Sequence, residues 1–163
     1  MQEATVTENR LRLLQNIPLF GGIREDILHL LLDNAREATI PEGEFLFLEN
    51  APGDAMYVLE SGQVAILKQW QGIYYRLNFL YAGDCIGEMS LIDLGRRSAS
   101  VMAMTKCNVI ELPNAIILDL YQREIEQFLI IQMNMARELS RRLRVADESL
   151  FHEMIKADQV PRH

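Results

Sequence analysis

The chain has 163 residues, a net charge of −7, 49% hydrophobic and 24% charged residues, and two cysteines. A chain of this length folds as one domain that buries about 70% of the surface its unfolded form exposes. An acidic balance argues against a general nucleic-acid binder, which needs a basic face. No apolar run reaches the ~20 residues of a membrane span, and the first residues lack the basic-then-apolar pattern of a secretory signal. Cys85 and Cys107 form no ligand cluster, so the expectation is a cytoplasmic chain with two ordinary thiols.

In chain order, residues 8–16 place Leu11, Leu13 and Leu14 at helical spacing, and the run from Asn16 through Pro18 to Gly21 and Gly22 breaks that helix. Residues 24–36 resume it with Ile27, Leu28, Leu31 and Leu32 on one side. From 38 to 112 the period changes to short apolar runs (45–48, 56–59, 64–67, 74–80, 98–104 and 109–112) separated by turn residues. That spacing predicts a β-sandwich or jelly-roll barrel. Its interior is expected to hold Phe47, Met56, Val58, Val64, Ile66, Leu80, Ile86, Leu91 and Val101, with Gly53 and Gly62 in turns that need positive φ.

After Pro113, which suits the first turn of a helix, residues 113–122 read as one helix and residues from 124 or 125 to about 155 as a longer one. Phe128, Ile131, Met135, Leu139, Leu143, Ala146 and Leu150 trace its apolar stripe; Arg137, Glu138, Arg141, Arg144, Asp147 and Glu148 form the opposite, charged face. A stripe this long suits pairing with a second copy of the chain. Residues 158–163 read as a frayed tail.

The stretch 84–101 concentrates the chemistry. Gly87 lets backbone approach a ligand. The turn from Glu88 to Ile92 is compatible with a short helix whose first N–H groups point along its axis and favour an anion. Arg96 and Arg97 follow, and an arginine fork matches two phosphate oxygens. Glu88, an acceptor when ionised, suits a sugar hydroxyl. Together these residues describe a pocket for a small sugar phosphate.

Gly87-Glu88-Met89-Ser90-Leu91 followed by Arg97-Ser98-Ala99-Ser100-Val101 resembles the phosphate-binding cassette of the cyclic nucleotide-binding domain family. The segments 41–47 and 53–64 resemble the family's first barrel strands. The resemblance implies a mixed α and β fold: an antiparallel β jelly-roll, or double-stranded β-helix, flanked by N-terminal helices and a long C-terminal helix. It implies a single domain over 1–163, with helices in 1–37, the barrel in 38–112 carrying the cassette at 86–100, and helices in 113–157. It selects Arg97 over Arg96 for the phosphate and gives Glu88 the ribose 2′-hydroxyl. Met89, Ser90 and Ser98 then supply N–H or hydroxyl donors, and Ala99 and Gly87 allow close approach. Ile86 and Val101 line an apolar wall beside the sugar. The base-capping position falls near Arg142, or one turn away at Leu139 or Ala146, which leaves the base contact open.

The function so implied is that of a non-enzymatic sensor for cAMP in preference to cGMP, signalling through its C-terminal helix. Its expected partners are a second copy and an unidentified downstream protein, without metal, nucleic acid or membrane. A metal-dependent jelly-roll enzyme needs barrel histidines, whereas His29, His152 and His163 lie outside the expected barrel. No helix-turn-helix follows the long helix, so DNA binding is not expected. The alternatives are a different sensor on this fold, for haem-bound gas, for oxygen through an iron–sulfur cluster or for an organic acid, and a ligand-free dimeric scaffold; Cys85, beside the cassette, invites a haem reading but reads as a buried structural thiol. The chain is also compatible with a piece of a longer regulator.

Overall fold

The computed structural model describes residues 2–158. The N-terminal layer is α1 (Gln2–Gln15), a 3-10 turn (Pro18–Phe20) and α2 (Glu25–Asp33). Leu11 and Leu14 of α1 and Ile27, Leu28 and Leu31 of α2 are buried, as their helical spacing demands. Glu25 and Asp26 sit in the first turn of α2, where carboxylates favour the helix dipole. The helix expected over 24–36 stops at Asp33, because Arg36 already opens β1 (Arg36–Ile40).

Seven further strands follow: β2 (Phe45–Phe47), β3 (Ala55–Ser61), β4 (Gln63–Trp70), β5 (Ile73–Tyr81), β6 (Cys85–Ile86), β7 (Ser100–Ala103) and β8 (Cys107–Pro113). They pair into two antiparallel four-stranded sheets, ordered β1-β8-β3-β6 and β2-β7-β4-β5. The β4–β5 hairpin turns on Gln71 and Gly72, both at positive φ, the geometry that matches strand twist. Further along the hairpin, Ile66 pairs with Asn78 and Leu67 with Arg76, so Leu77 is the extra residue of a bulge.

The sheets enclose one core, built on Leu59, Val64, Ile86, Val101, Ala103, Cys107 and Val109. A second core lies between the first sheet and the helices, where Met56, Val58, Ile110 and Leu112 meet Leu14, Phe20, Leu28 and Ile131. Met56, Val58 and Leu91 therefore face the helix layer and not the barrel interior expected for them. Strand alternation puts neighbours on opposite faces, and the other face of β3 carries Leu59 inward. Gly62 does turn at φ 95°, and a Cβ there would sit 2.6 Å from the Cys107 sulfur. Gly53 is not in the left-handed region; it is glycine because a Cβ would lie 2.4 Å from that of Ser90.

Between β6 and β7 lies α3 (Met89–Asp93), and after β8 come α4 (Asn114–Arg123) and α5 (Ile125–Asp158). Pro113 ends β8 and caps α4, one residue before the helix expected to contain it. The 34 residues of α5 span roughly 50 Å. Ile131 and Met135 are buried and Phe128 is half-buried, but every residue from Ser140 to Ala157 is exposed. Apart from Asp158, which ends α5, the expected frayed tail lies outside the described residues. Among the described residues no helix is long and apolar enough to cross a membrane.

Candidate functional site

A cavity of about 510 Å³ opens between the β2-β7-β4-β5 sheet, α3 and α5, within the range of small-molecule sites. All eight residues singled out in the sequence line it: Gly87, Glu88, Met89, Ser90, Arg97, Ser98, Ala99 and Arg142. Ile86 and Val101 also reach its wall, as does Leu139, whereas Ala146 is exposed on α5 and apart from it.

Arg97 is the most constrained of these side chains. It is 4% exposed, and its Cζ lies 4.1 Å from the Phe47 ring centroid. Nη2 donates to the Ala55 carbonyl at 2.7 Å, while Nη1 reaches the Gly87 carbonyl and Ser90 Oγ at 3.3 Å each. These partners are all neutral, and the buried Nε has none. A buried cation without a carboxylate is costly, by several kcal/mol on the order expected for desolvated ions. Arg96 is exposed and donates to the Asn50 carbonyl, so the two adjacent arginines have different environments.

Gly87 accommodates this arrangement. Its φ is 76°, and a Cβ would lie 2.4 Å from Arg97 Nη1. Glu88 occupies the position before α3 and is 7% exposed; its Oε1 pairs with Arg142 Nη1, which arrives from α5. Ser90 Oγ donates to the Gly87 carbonyl at 2.9 Å. Ser98 is exposed with its hydroxyl near the Met89 sulfur, and Ala99 is buried.

Several lining residues carried no signal in the sequence. Leu77 and Asn78 reach the cavity at the β5 bulge, and Ile17, Pro18 and Leu19 arrive from the 3-10 turn. Glu138 and Arg141, assigned to a solvated face, also line it; Glu138 is half-buried, and its hydrogen bond from Arg141 holds the carboxyl below the usual glutamate range. Cys85 lies at the edge of the cavity, and burial, aided by Glu88, Asp84 and Glu138, pushes its thiol pKa well up. A protonated thiol is a poor metal or haem ligand, because the thiolate is the ligating form. Among the described residues no group of three or more His, Cys, Asp or Glu side chains could hold a metal ion.

A buried cation, a glycine-glutamate turn and a helix closing the cavity give this antiparallel barrel a cavity whose chemistry suits a small anion. The model of the family described as the cyclic nucleotide-binding domain matches residues 37–124, and the chain belongs to that family. It is 33% identical over 138 residues to the Cyclic AMP receptor protein of Thermus thermophilus, covering 84% of this chain and 62% of that one. It is 32% identical over 99 residues to the cAMP-dependent protein kinase regulatory subunit of Emericella nidulans, covering 61% of this chain and 24% of the subunit. The chain thus spans less than two thirds of the length of either relative. The crystal structure of the Thermus thermophilus Catabolite Activator Protein superposes with a TM-score of 0.71 at 33% identity, over 84% of this chain and 63% of that one. A cyclic nucleotide-binding domain from Methylobacillus flagellatus shares the fold at TM-score 0.77 and 23% identity, over 91% and 84% of the two chains.

Proposed function

We propose that the 163 residues act as one cyclic nucleotide-sensing domain whose ligand is cAMP in preference to cGMP. The observation that carries this reading is the buried guanidinium of Arg97, bonded to neutral groups and unpartnered at Nε on a cavity wall. A cyclic phosphate has one negative charge and two exocyclic oxygens, which suit a planar fork. Glu88, whose Oε1 takes Arg142, offers Oε2 to the ribose 2′-hydroxyl. Met89 and Ser90 give backbone N–H groups to the phosphate, Ser98 gives its hydroxyl and N–H, and Gly87 and Ala99 let the backbone close in. Arg142 reaches the base from α5. The preference for cAMP rests on relatives named for cyclic AMP.

Signalling follows from the Arg142–Glu88 pair, which ties α5 to the phosphate turn. A nucleotide that takes part of Glu88 and draws the turn toward its phosphate shifts α5, because a ligand biases whichever state it binds better. The exposed half of α5, with Leu143, Leu150, Phe151 and Met154, serves as the seam for a second copy, whose geometry the shift alters, or as a face exposed to a downstream protein. The domain works in the cytoplasm as a regulator without catalysis.

Isothermal titration of refolded, nucleotide-free protein tests this. Tight binding of cAMP, weaker binding of cGMP and none of 5′-AMP are expected, with a loss of about a hundredfold in Arg97→Ala, the scale of a charge-assisted contact. Binding unchanged in Arg97→Ala would remove the site assignment.

A further inference from the structure

We propose that Asn114, the first residue of α4, is a positioning residue for the phosphate turn, acting on Arg97 through Ser90. The inference rests on the nucleotide reading of the site. Asn114 is buried behind the cavity, and its side chain is not part of the lining. Its backbone N–H donates to the Asp54 carbonyl at 2.9 Å. Its side-chain Nδ2 donates to the Gly53 carbonyl at 3.1 Å and reaches Ser90 Oγ at 3.5 Å. The Gly53 carbonyl fixes which end of the amide faces the turn, because an oxygen there would oppose another oxygen.

The direction of the Ser90 proton follows. Ser90 Oγ has two nitrogen neighbours, Arg97 Nη1 at 3.3 Å and Asn114 Nδ2, and both can only donate. Its single proton must therefore go to the Gly87 carbonyl, the contact seen at 2.9 Å. Asn114 thus helps hold the Ser90 hydroxyl in the orientation that ties Gly87 to the guanidinium. An aspartate at 114 would accept that proton instead and bring a carboxylate toward Arg97.

Two observations separate this from ordinary helix anchoring. Asn114 Oδ1 is buried without a partner, so the residue is not simply satisfying the start of α4. The loop it holds is packed against the turn: a Cβ on Gly53 would lie 2.4 Å from Ser90 Cβ and 2.8 Å from the Gly95 carbonyl. Asn114 therefore fixes the loop, the turn and the start of α4 as one unit, and only Glu124 separates α4 from α5.

The test titrates wild type, Asn114→Ala, Ser90→Ala and the double variant with cAMP and with its Sp and Rp phosphorothioates, which carry sulfur on one or the other exocyclic position. Asn114→Ala is expected to weaken cAMP about tenfold and to change the Sp/Rp affinity ratio at least threefold, while adding less than twofold in the Ser90→Ala background. An unchanged ratio, or an equal loss in both backgrounds, overturns the inference while wild-type binding stands. A wild type that binds no cyclic nucleotide overturns the underlying reading, and the inference with it. Wild-type protein labelled with 15N-asparagine supplies a readout independent of variant folding: the Asn114 side-chain amide resonances should move on saturation with cAMP, and fixed resonances overturn the proposal.

Discussion

Arg142, from the middle of α5, pairs with Glu88, the residue just before α3, although 54 positions separate them in the chain. Glu88 is almost fully buried, whereas the Arg142 side chain is 49% exposed. The pair thus joins a fixed carboxylate to an arginine on a helix whose next turns meet only solvent. On the proposed reading a ligand that engages Glu88 shares this carboxylate with Arg142. Arg142→Ala should lower cAMP affinity about five- to tenfold, in line with one charge-assisted hydrogen bond at a half-exposed site. It should also abolish the ligand-dependent change in hydrogen exchange along residues 139–155. Affinity lost with the exchange response intact would make Arg142 a ligand contact alone.

Gly87→Ala tests close approach. The residue has φ 76°, and a Cβ would sit 2.4 Å from Arg97 Nη1. The left-handed backbone costs an alanine about 1–2 kcal/mol, and the guanidinium must also move. Thermal unfolding should fall by several degrees, and cAMP affinity should fall at least tenfold. Gly43→Ala is the control: its φ is also positive, at 82°, but nothing lies within 4 Å of the added carbon. That variant should lose stability and keep its affinity.

Cys85 gives a pH prediction. Burial raises its thiol pKa, with Glu88, Asp84 and Glu138 adding to the effect. In the unfolded chain a cysteine ionises near pH 8.5. Below that pH both states keep the proton, and the group does not affect stability. Above it the unfolded chain releases the proton and the folded chain retains it, so stability declines by about 1.4 kcal/mol per pH unit from this group. Denaturant titrations between pH 8 and 10 should show this slope in wild type and its reduction in Cys85→Ala. At pH 8 the folded protein should also react with iodoacetamide at least tenfold more slowly than the unfolded chain.

The phosphate turn was legible in the sequence because its parts are contiguous. Gly87, Glu88 and Ser90 lie within one turn of chain, and Arg97 returns after a short loop, so residue type and spacing carry the geometry. Arg142 came from the family resemblance, and its ion pair with Glu88 is now explicit. The rest of the wall depends on events that short-range pattern does not encode. Leu77 and Asn78 reach the cavity through a bulge, which has no residue signature here. Ile17, Pro18 and Leu19 read as a helix break, yet the turn they form is packed between α1 and α5. Strand β1 was missed because Arg36–Ile40 lies at a sheet edge and is largely exposed, with only Ala38 and Ile40 to mark its inward face. β6 has only two residues. The misplacement of Met56 and Val58 has a related cause: alternation separates two faces but does not say which one the helices cover.

The exposed half of α5 yields the remaining prediction. Leu143, Leu150, Phe151 and Met154 are each more than half exposed, on a helix that Ile131 and Met135 anchor to the body. Leu143, Ala146 and Leu150 recur at intervals of three and four, the spacing that a two-helix coil requires. On the proposed reading this stripe packs against a second copy of the chain, which would remove its apolar side chains from water. Sedimentation of the wild type should give a dimer, and Leu143→Glu with Leu150→Glu should give a monomer, because two carboxylates would face their symmetry mates in the seam. Neither leucine lines the cavity, so the monomer should still bind cAMP, with the exchange response of residues 139–155 lost or reduced. A wild type that sediments as a monomer would leave α5 for a different protein partner.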